Sequence, residues 1–211
     1  MRSVVAIALP QLACELGRQG REIAGPLAAI VVPDAELHLP LADRPLDAVD
    51  DHARRYGVRP GQRASEAHGL VENLTVVTVG HGAIDAALGR VAEVALAFAP
   101  TAAIELERSS TDAPRSPWGE TPFDTVWLDV TGAAHLAGGE ETLLADLAER
   151  VAALGHRTKI ALGPGPRVAQ ALARWSRLGA GAQGRPTIIH SPDEAKRALA
   201  GLPSGSDESM R

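Results

Sequence analysis

The sequence predicts an α+β fold, in which a mostly antiparallel, ferredoxin-like sheet carries helices on one face and a small, mostly helical subdomain is inserted into it. Two observations predict this fold. Residues 4–9 form a short unbroken apolar run, which is typical of a central strand buried on both faces. Between residues 74 and 178 the hydrophobic periodicity runs strand, helix, strand, strand, helix, strand, helix, which contains the βαββαβ order of a ferredoxin-like sheet.

The region between the first strand and residue 73 is predicted to be mainly helical. Apolar periodicity and turn residues favour one hairpin and three helices there. The hairpin joins 27–32 to 36–41 around Pro33-Asp34, and the helices are 11–20, 46–56 and 64–71. The inserted subdomain is therefore predicted at 11–73.

The rest of the chain supplies the other elements of the predicted sheet. Strands are predicted at 74–79, 102–107, 123–130 and 158–162, and helices at 83–98, 140–154 and 167–178. Ser, Pro and Gly in residues 109–121 indicate an exposed loop. After a short strand in PTIIH, a helix is predicted at 193–202, and the polar end of the chain is predicted to be disordered.

Composition and charge argue against several classes of protein. The chain of 211 residues carries a net charge of −5, whereas a protein that acts mainly on nucleic acid usually has a basic surplus. Cys14 is the only cysteine, which excludes an internal disulfide and favours a reducing cytoplasm. No apolar run approaches the roughly 20 residues of a membrane span, so no membrane contact is expected.

The stretch PFDTVWLDVTG, residues 122–132, is the strongest candidate for a functional site. It is a predicted strand that carries two acids, Asp124 and Asp129, and ends in a Thr-Gly turn. Acids on a buried strand next to a turn often hold metal ions for phosphoryl chemistry. Two glycine patterns, GHG at 80–82 and GPGP at 163–166, lie where a helix N-terminus could bind phosphate. Neither completes a nucleotide-binding motif, so plain turns are predicted.

The motifs around this stretch follow a distinctive order. FDTVWLDVTG is followed by a short helix, GG, a long helix and the strand TKIAL. This order is similar to the palm of the Y-family, translesion DNA polymerases, and YGVRPGQ between two predicted helices resembles a turn of their fingers. The resemblance covers about residues 3–203. It implies a palm-like domain at 1–10 and 74–178, a fingers-like subdomain at 11–73 and the start of a thumb-like region at 179–203. The polar residues 204–211 that follow are predicted from their composition to be a disordered tail.

The resemblance also implies where a catalytic centre would lie, and the acids of that centre are mostly missing. Active members have an Asp at the end of the first strand that binds both magnesium ions; this position is Ala8, and the nearby second acid position is Pro10. On the hairpin, Asp124 matches the family's Asp, but Thr125 stands where the family has Glu. Two-metal catalysis needs several carboxylates to hold ions about 3.5–4 Å apart. No metal ion and no catalytic residue are therefore expected.

The positions that grip the triphosphate in active members are degenerate as well. The fingers' Tyr-x-x-Arg becomes Asp51 and Arg54, so the arginine is kept and the tyrosine is lost. The family's triphosphate lysine falls on Pro166, which offers no cation. No nucleotide-binding residue and no cofactor are therefore expected.

This pattern of losses best matches the ImuB-like branch, degenerate members of the family that work in a bacterial mutagenesis cassette. The resemblance implies a non-catalytic pseudo-polymerase scaffold in mutagenic translesion synthesis and DNA repair, in the cytoplasm at the nucleoid. Its implied partners are a RecA-like (ImuA-like) cassette protein, an error-prone replicative-type DNA polymerase and the sliding clamp. The sequence stops where the thumb should begin, so the clamp is expected to bind only through a region absent here. DNA binding by this portion is expected to be weak or absent.

Two other classes of function stay open at the level of the sequence. A working magnesium-dependent polymerase or nucleotidyltransferase would need other acids, for which Asp124, Asp129 and Glu105 are the candidates. The other alternative is a small-molecule or nucleotide-binding regulatory module on a ferredoxin-like fold. On the scaffold hypothesis Asp129 only accepts hydrogen bonds from the backbone of the following turn. Trp127 is then predicted to lie in the core, and Trp118, in the exposed loop, is a candidate partner anchor.

Overall fold

A computed structural model describes residues 2–40, 43–104, 124–175 and 186–200. Its strands are β1 (Val4–Ala8), β2 (Leu27–Val32), β3 (Ala48–Val49), β4 (Thr75–Gly80), β5 (Ala102–Ile104), β6 (Thr125–Asp129), β7 (Lys159–Gly163) and β8 (Thr187–Ile188). Its helices are α1 (Leu12–Arg18), α2 (Asp51–Arg55), α3 (Ala64–Leu70), α4 (His81–Ala95), α5 (Glu140–Ala153), α6 (Pro166–Trp175) and α7 (Pro192–Leu199), with 3-10 helices at Asp34–Glu36 and Ala134–Ala137. The described residues divide into two units, the first within 1–10, 88–105 and 123–211 and the second within 11–87 and 106–122.

The first unit contains a five-stranded sheet in the order β5-β6-β1-β7-β8. β1 pairs antiparallel with both β6 and β7, β5 pairs antiparallel with β6, and β8 is parallel to β7. All five residues of β1 are buried, so both faces of this strand are covered, and its prediction as a central strand is confirmed. The elements from α1 to β4 lie between β1 and α4; when they are left out, β1, α4, β5, β6, α5 and β7 have the βαββαβ order. The predicted ferredoxin-like sheet is therefore confirmed, but its first strand is β1 and not the strand predicted at 74–79.

The second unit has its own three-stranded sheet, in the order β3-β2-β4. The strand predicted at 74–79 belongs to this sheet, so its assignment to the first sheet is wrong; β1 is the first strand of the βαββαβ order instead. The predicted hairpin between 27–32 and 36–41 is also wrong, because β2 pairs in parallel with β4 and a 3-10 helix follows Pro33. Parallel partners are joined by a long crossover, so local periodicity does not indicate the pairing.

The helix predicted at 46–56 begins later than its periodicity indicates. Ala48–Val49 forms β3, and α2 spans Asp51–Arg55. The Asp50 carboxylate accepts a 2.7 Å hydrogen bond from the Ala53 backbone N–H and thereby caps α2 at this point. The apolar residues of the strand and of the helix enter one core, which explains why the segment has a helical spacing although part of it is a strand.

The other predicted helices and strands of the described segments are present, with ends that differ by a few residues. The helix predicted at 193–202 is observed at Pro192–Leu199. Several predictions fall outside the described residues, namely the loop at 109–121, much of the thumb-like region at 179–203 and the tail at 204–211. Within the described segments, no helix combines the length and the apolar character that crossing a membrane requires.

A carboxylate of the chain itself, that of Asp34, explains the GHG pattern at 80–82. Asp34 follows β2, and both of its carboxylate oxygens lie 3.1 Å from the Gly82 backbone nitrogen at the start of α4. A Cβ at Gly80 or Gly82 would lie 2.1 Å or 2.6 Å from an oxygen of Asp34, so glycine leaves room for this side chain. The negative charge also complements the positive end of the helix dipole. The N–H that a phosphate would use is therefore already bound.

Asp34→Ala is expected to lower the free energy of unfolding by about 1 kcal/mol, because the first turn of α4 loses its acceptor. The measurement is urea denaturation followed by circular dichroism. Asp146→Ala is the matched control, since Asp146 is exposed in the middle of α5 and away from either helix end. Equal stability of the two variants would contradict this role of Asp34.

Candidate functional site

The family resemblance assigns catalytic positions to Ala8, Asp124 and Thr125, and these residues lie together at one end of the first sheet. Ala8, the last residue of β1, pairs with Thr125 on β6 and with Lys159 on β7. The Leu9 backbone N–H donates a 2.8 Å hydrogen bond to the carbonyl oxygen of Asp124, which extends this pairing by one residue. Ala8 has no exposed surface and Thr125 has 1%. The place where a metal-binding centre would lie is therefore a packed end of three strands.

A buried ion pair occupies this end of the sheet. Asp124 accepts a hydrogen bond from the guanidinium of Arg174, and the side chains of Asp124 and Arg174 are only 12% and 3% exposed. The Thr125 hydroxyl donates a 2.9 Å hydrogen bond to the same carboxylate. Gln170, one turn before Arg174 on α6, donates to the Thr125 oxygen at 3.4 Å. Asp124 is thus neutralised by a cation of the chain itself.

Sequence reasoning missed Arg174, Gln170 and Lys159. Lys159 donates a 3.2 Å hydrogen bond to the Arg174 backbone carbonyl and so joins the end of α6 to the start of β7. One signal in the sequence could have indicated Arg174. Arg174 directly follows Leu172 and Ala173 on the buried face of α6. A charged side chain in such a place needs a buried partner.

These residues do not fit a pair of divalent metal ions. Asp124 alone keeps a carboxylate among the aligned acid positions, and its charge is already met by Arg174. Ala8 offers no ligand atom, and the hydroxyl of Thr125 is directed at Asp124. Across the described ranges, no group of three or more His, Cys, Asp or Glu residues is placed to hold a metal ion. A guanidinium beside the carboxylate would also repel a divalent cation.

Asp129 lies too far from Asp124 to share a metal ion with it. It pairs with Val4, at the opposite end of β6 from Thr125. Asp129 lies five residues after Asp124 along the strand, which corresponds to roughly 16 Å. The Thr131 backbone N–H donates a 3.1 Å hydrogen bond to Asp129, which confirms the structural role predicted for it. Hydrogen bonds from the side chain and backbone of Thr131, together with Arg2, hold the pKa of this carboxyl below its ordinary value. Glu105 lies outside the described residues.

Two prolines shape the turns at this sheet. Pro10 is half-buried in the turn that follows β1. Pro166 is the first residue of α6, and its carbonyl oxygen accepts a 3.2 Å hydrogen bond from the Trp127 indole N–H. A Cβ at Gly163 would lie only 3.0 Å from the Ala169 backbone nitrogen, so the GPGP turn allows α6 to pack closely on β7.

Trp127 lines a groove, and the prediction that it lies in the core is only partly correct. Its side chain is half-buried on β6, beside a groove of about 430 Å³ that β5, β6 and the start of α6 form. The polar groups that line the groove include Arg2, Asp129, Arg167 and Gln170. Trp118 lies outside the described residues.

The second unit carries the aligned fingers positions. Asp51 is the exposed first residue of α2, and Arg54 is half-buried, with its Nε donating a 3.0 Å hydrogen bond to the Val49 carbonyl oxygen. The neighbouring Asp50 pairs with Arg18. The hydrogen bond to Val49 gives Arg54 a structural role inside its own unit.

Cys14 offers no reactive thiolate. It is buried in α1, and its Sγ is 4.0 Å from the Leu27 carbonyl oxygen. Burial in the first place, and then the negative charge of Asp50, raise the pKa of the Cys14 thiol to about 12. The thiol is therefore protonated at neutral pH, and nucleophilic chemistry at this residue is disfavoured.

Comparison with known proteins identifies the family. The sequence matches the impB/mucB/samB family over residues 29–174. It is also 32% identical over 147 residues to Protein ImuB of Caulobacter vibrioides, from strain NA1000 / CB15N and from strain ATCC 19089 / CIP 103742 / CB 15. The chain belongs to the impB/mucB/samB family. The matched region covers 70% of this chain and 27% of each ImuB protein, so the chain spans about a quarter of the length of these family members.

Several solved structures share the fold of this chain. An insertion ternary complex of Dbh DNA polymerase has a TM-score of 0.65 at 15% identity, and covers 95% of this chain and 52% of its own. DinB from Sulfolobus solfataricus has a TM-score of 0.62 at 16% identity, with coverage of 93% and 50%. The predicted resemblance to ImuB-like proteins and to the Y-family polymerase fold is thereby confirmed.

Proposed function

We propose that this chain is a non-catalytic pseudo-polymerase module that acts as a protein scaffold in bacterial mutagenic translesion synthesis and DNA repair. It keeps the sheet and the helices of a polymerase palm and has lost the groups that carry out nucleotidyl transfer. Its role is to present a surface to other proteins. It acts in the cytoplasm, at the nucleoid.

The observation that carries this proposal is the packed ion pair where the metal centre would lie. Asp124 and Arg174 neutralise each other in the interior, and Ala8 and Thr125 beside them are buried. Nucleotidyl transfer requires open positions for two metal ions and for the triphosphate. A packed site whose carboxylate is already paired with Arg174 has no open position for metal ions or for a triphosphate.

Charge supports a protein partner over DNA. At a net charge of −5 the chain lacks the basic surplus from which most nonspecific DNA affinity arises. A nucleotide-binding module is less well supported, because the Asp34 carboxylate already binds the start of α4 at the GHG turn. The partners that we propose are a RecA-like (ImuA-like) cassette protein first and an error-prone replicative-type polymerase second. The sliding clamp is proposed as a third partner.

Primer extension tests the catalytic part of the proposal. The purified chain is expected to add no nucleotide to a primer–template with Mg²⁺ or Mn²⁺, because one neutralised carboxylate cannot hold two metal ions. Dbh DNA polymerase, which shares the fold of this chain, is the positive control for the assay. Incorporation by this chain that Asp124→Ala abolishes would show that the chain is an active polymerase.

A further inference from the structure

One face of the five-stranded sheet is only partly covered by helices. α6 packs on β1 and β7, where Ala6, Ala8 and Ala161 lie in one buried cluster with residues of the helix. Trp127 on β6 pairs with Ala6 on one side and with Ala103 on β5 on the other, so the three side chains share this face. Ala103 is exposed and Trp127 is half-buried. The described helices therefore leave the part of this face that β6 and β5 form open.

The open part of the face is the groove of about 430 Å³ beside Trp127, and its dimensions suit one α-helix. Neighbouring strands lie about 4.8 Å apart and a helix is about 10 Å wide, so one helix covers about two strands. α6 covers β1 and β7, which leaves β6 and β5 for a second helix. β6 has five residues, and a strand of that length extends over roughly 16 Å, or about three helical turns.

The floor of the groove combines a fixed aromatic side chain with small neighbours. The Trp127 indole N–H donates a 3.2 Å hydrogen bond to the Pro166 carbonyl oxygen, which holds the ring in place. Thr101 and Ala103 are small, exposed residues that also line the groove, so they leave room beside the ring. A preorganised surface loses little entropy when a ligand binds to it. The floor is therefore suited to the apolar stripe of a partner helix.

The charged groups that line the groove are mainly positive. They are Arg2 and Asp129, which form a 3.0 Å ion pair at partly exposed positions, and Arg167. Arg167 is exposed on the first turn of α6, and within the described segments it has no ion-pair partner. Two arginines against one aspartate give the groove a positive charge, whereas the whole chain has a net charge of −5. A segment with acidic side chains is therefore attracted to the groove, although the chain as a whole repels it.

We propose that this groove binds an amphipathic helix of a protein partner, about three turns long, with an apolar stripe flanked by acidic side chains. The apolar stripe packs on Trp127, and the acidic side chains pair with Arg167 and Arg2. The bound helix lies beside α6 and completes the helical layer on this face of the sheet. This inference rests on the scaffold function, because it names the surface that the scaffold presents and the chemistry of the segment that binds there.

Surface plasmon resonance on the immobilised chain, with the RecA-like protein and the error-prone polymerase in turn, tests this inference. Ala103→Trp fills the groove and Arg167→Glu reverses its unpaired charge, and each is expected to weaken binding of the partner about tenfold or more. Both positions are exposed, so the melting temperature should not change. The matched controls Ala145→Trp and Arg90→Glu make the same changes at exposed positions of α5 and α4 and should bind like the unaltered chain.

The dependence of binding on salt and a set of peptides identify the segment that binds. A rise from about 0.05 M to about 0.3 M sodium chloride should weaken binding to the unaltered chain more than binding to Arg167→Glu, because salt screens the acidic contacts. Peptides of about 15 residues that cover the sequence of the retained protein are then titrated with the chain. We expect an acidic peptide that becomes helical on binding and that loses affinity for Ala103→Trp but not for Ala145→Trp.

The outcomes separate this inference from the scaffold function. If the retained protein binds the groove variants and the unaltered chain equally well, the inference is wrong and the scaffold function stands. If the unaltered chain retains neither protein, the scaffold function is wrong and the inference falls with it. Selective loss of DNA binding, or of self-association of the chain, in Ala103→Trp with unchanged protein binding would also overturn the inference, because the groove would then have a different occupant.

Discussion

Val5→Asp is expected to unfold the first unit, with a loss of more than about 4 kcal/mol in the free energy of unfolding. Val5 lies in β1, between Leu128 on β6 and Leu162 on β7, and has no exposed surface. An aspartate there would place a charge beside the buried apolar side chains of Leu128 and Leu162. Water could reach it only if the central strand separated from both of its neighbours.

Urea denaturation measures this loss, and Ala103→Asp is the matched control. Ala103 lies on the edge strand β5 of the same sheet and is exposed, so the same substitution leaves its charge in water. The control is expected to lose less than about 1 kcal/mol. Similar stabilities of the two variants would mean that β1 is not the buried centre of the sheet.

Gly17→Leu is expected to cost about 3 kcal/mol, although leucine is a much better helix former than glycine. Gly17 lies in α1, and a Cβ added there would be 2.5 Å from Cγ2 of Val77 on β4. The helix packs against the strand at a point where no side chain fits. Overlap in the core therefore outweighs the gain in helix propensity.

Gly89→Ala is the control, and it is expected to raise the stability and not to lower it. Gly89 lies in α4, and a Cβ there would meet no atom within 4 Å. This substitution is expected to add up to about 1 kcal/mol to the free energy of unfolding, because it removes a glycine from a helix interior. A gain in stability for Gly17→Leu, measured by the same denaturation experiment, would contradict the packing of α1 on β4.

The sequence predicts the central strand well because its signal is local. The unbroken apolar run at 4–9 needs cover on both faces, and β1 has that cover. The place of β4 could not be predicted in this way. Its residues are equally suited to either sheet, and only the parallel pairing with β2 decides which one it joins. That pairing depends on contacts between residues far apart in the chain, which periodicity does not contain.

The same limit applies to the candidate site. The two positions that the family resemblance assigns to Ala8 and Thr125 could be located from the motifs around them, because each lies beside a recognisable strand or turn. The role of Arg174 could not, because it depends on a contact with a residue 50 positions away. The sequence therefore predicts which acids are absent from these positions, and the structure shows that Arg174 lies beside the acid that is present, Asp124.

The most direct test of the scaffold function compares protein and DNA binding by the same immobilised chain. The ligands are the RecA-like cassette protein, the error-prone polymerase and a primer–template DNA. All are measured at one salt concentration of about 0.15 M, where surface charges are screened beyond about 8 Å. The expected result is retention of the RecA-like protein, with weaker or no binding of the DNA. Micromolar or tighter binding of the DNA, with neither protein retained, would contradict the scaffold function.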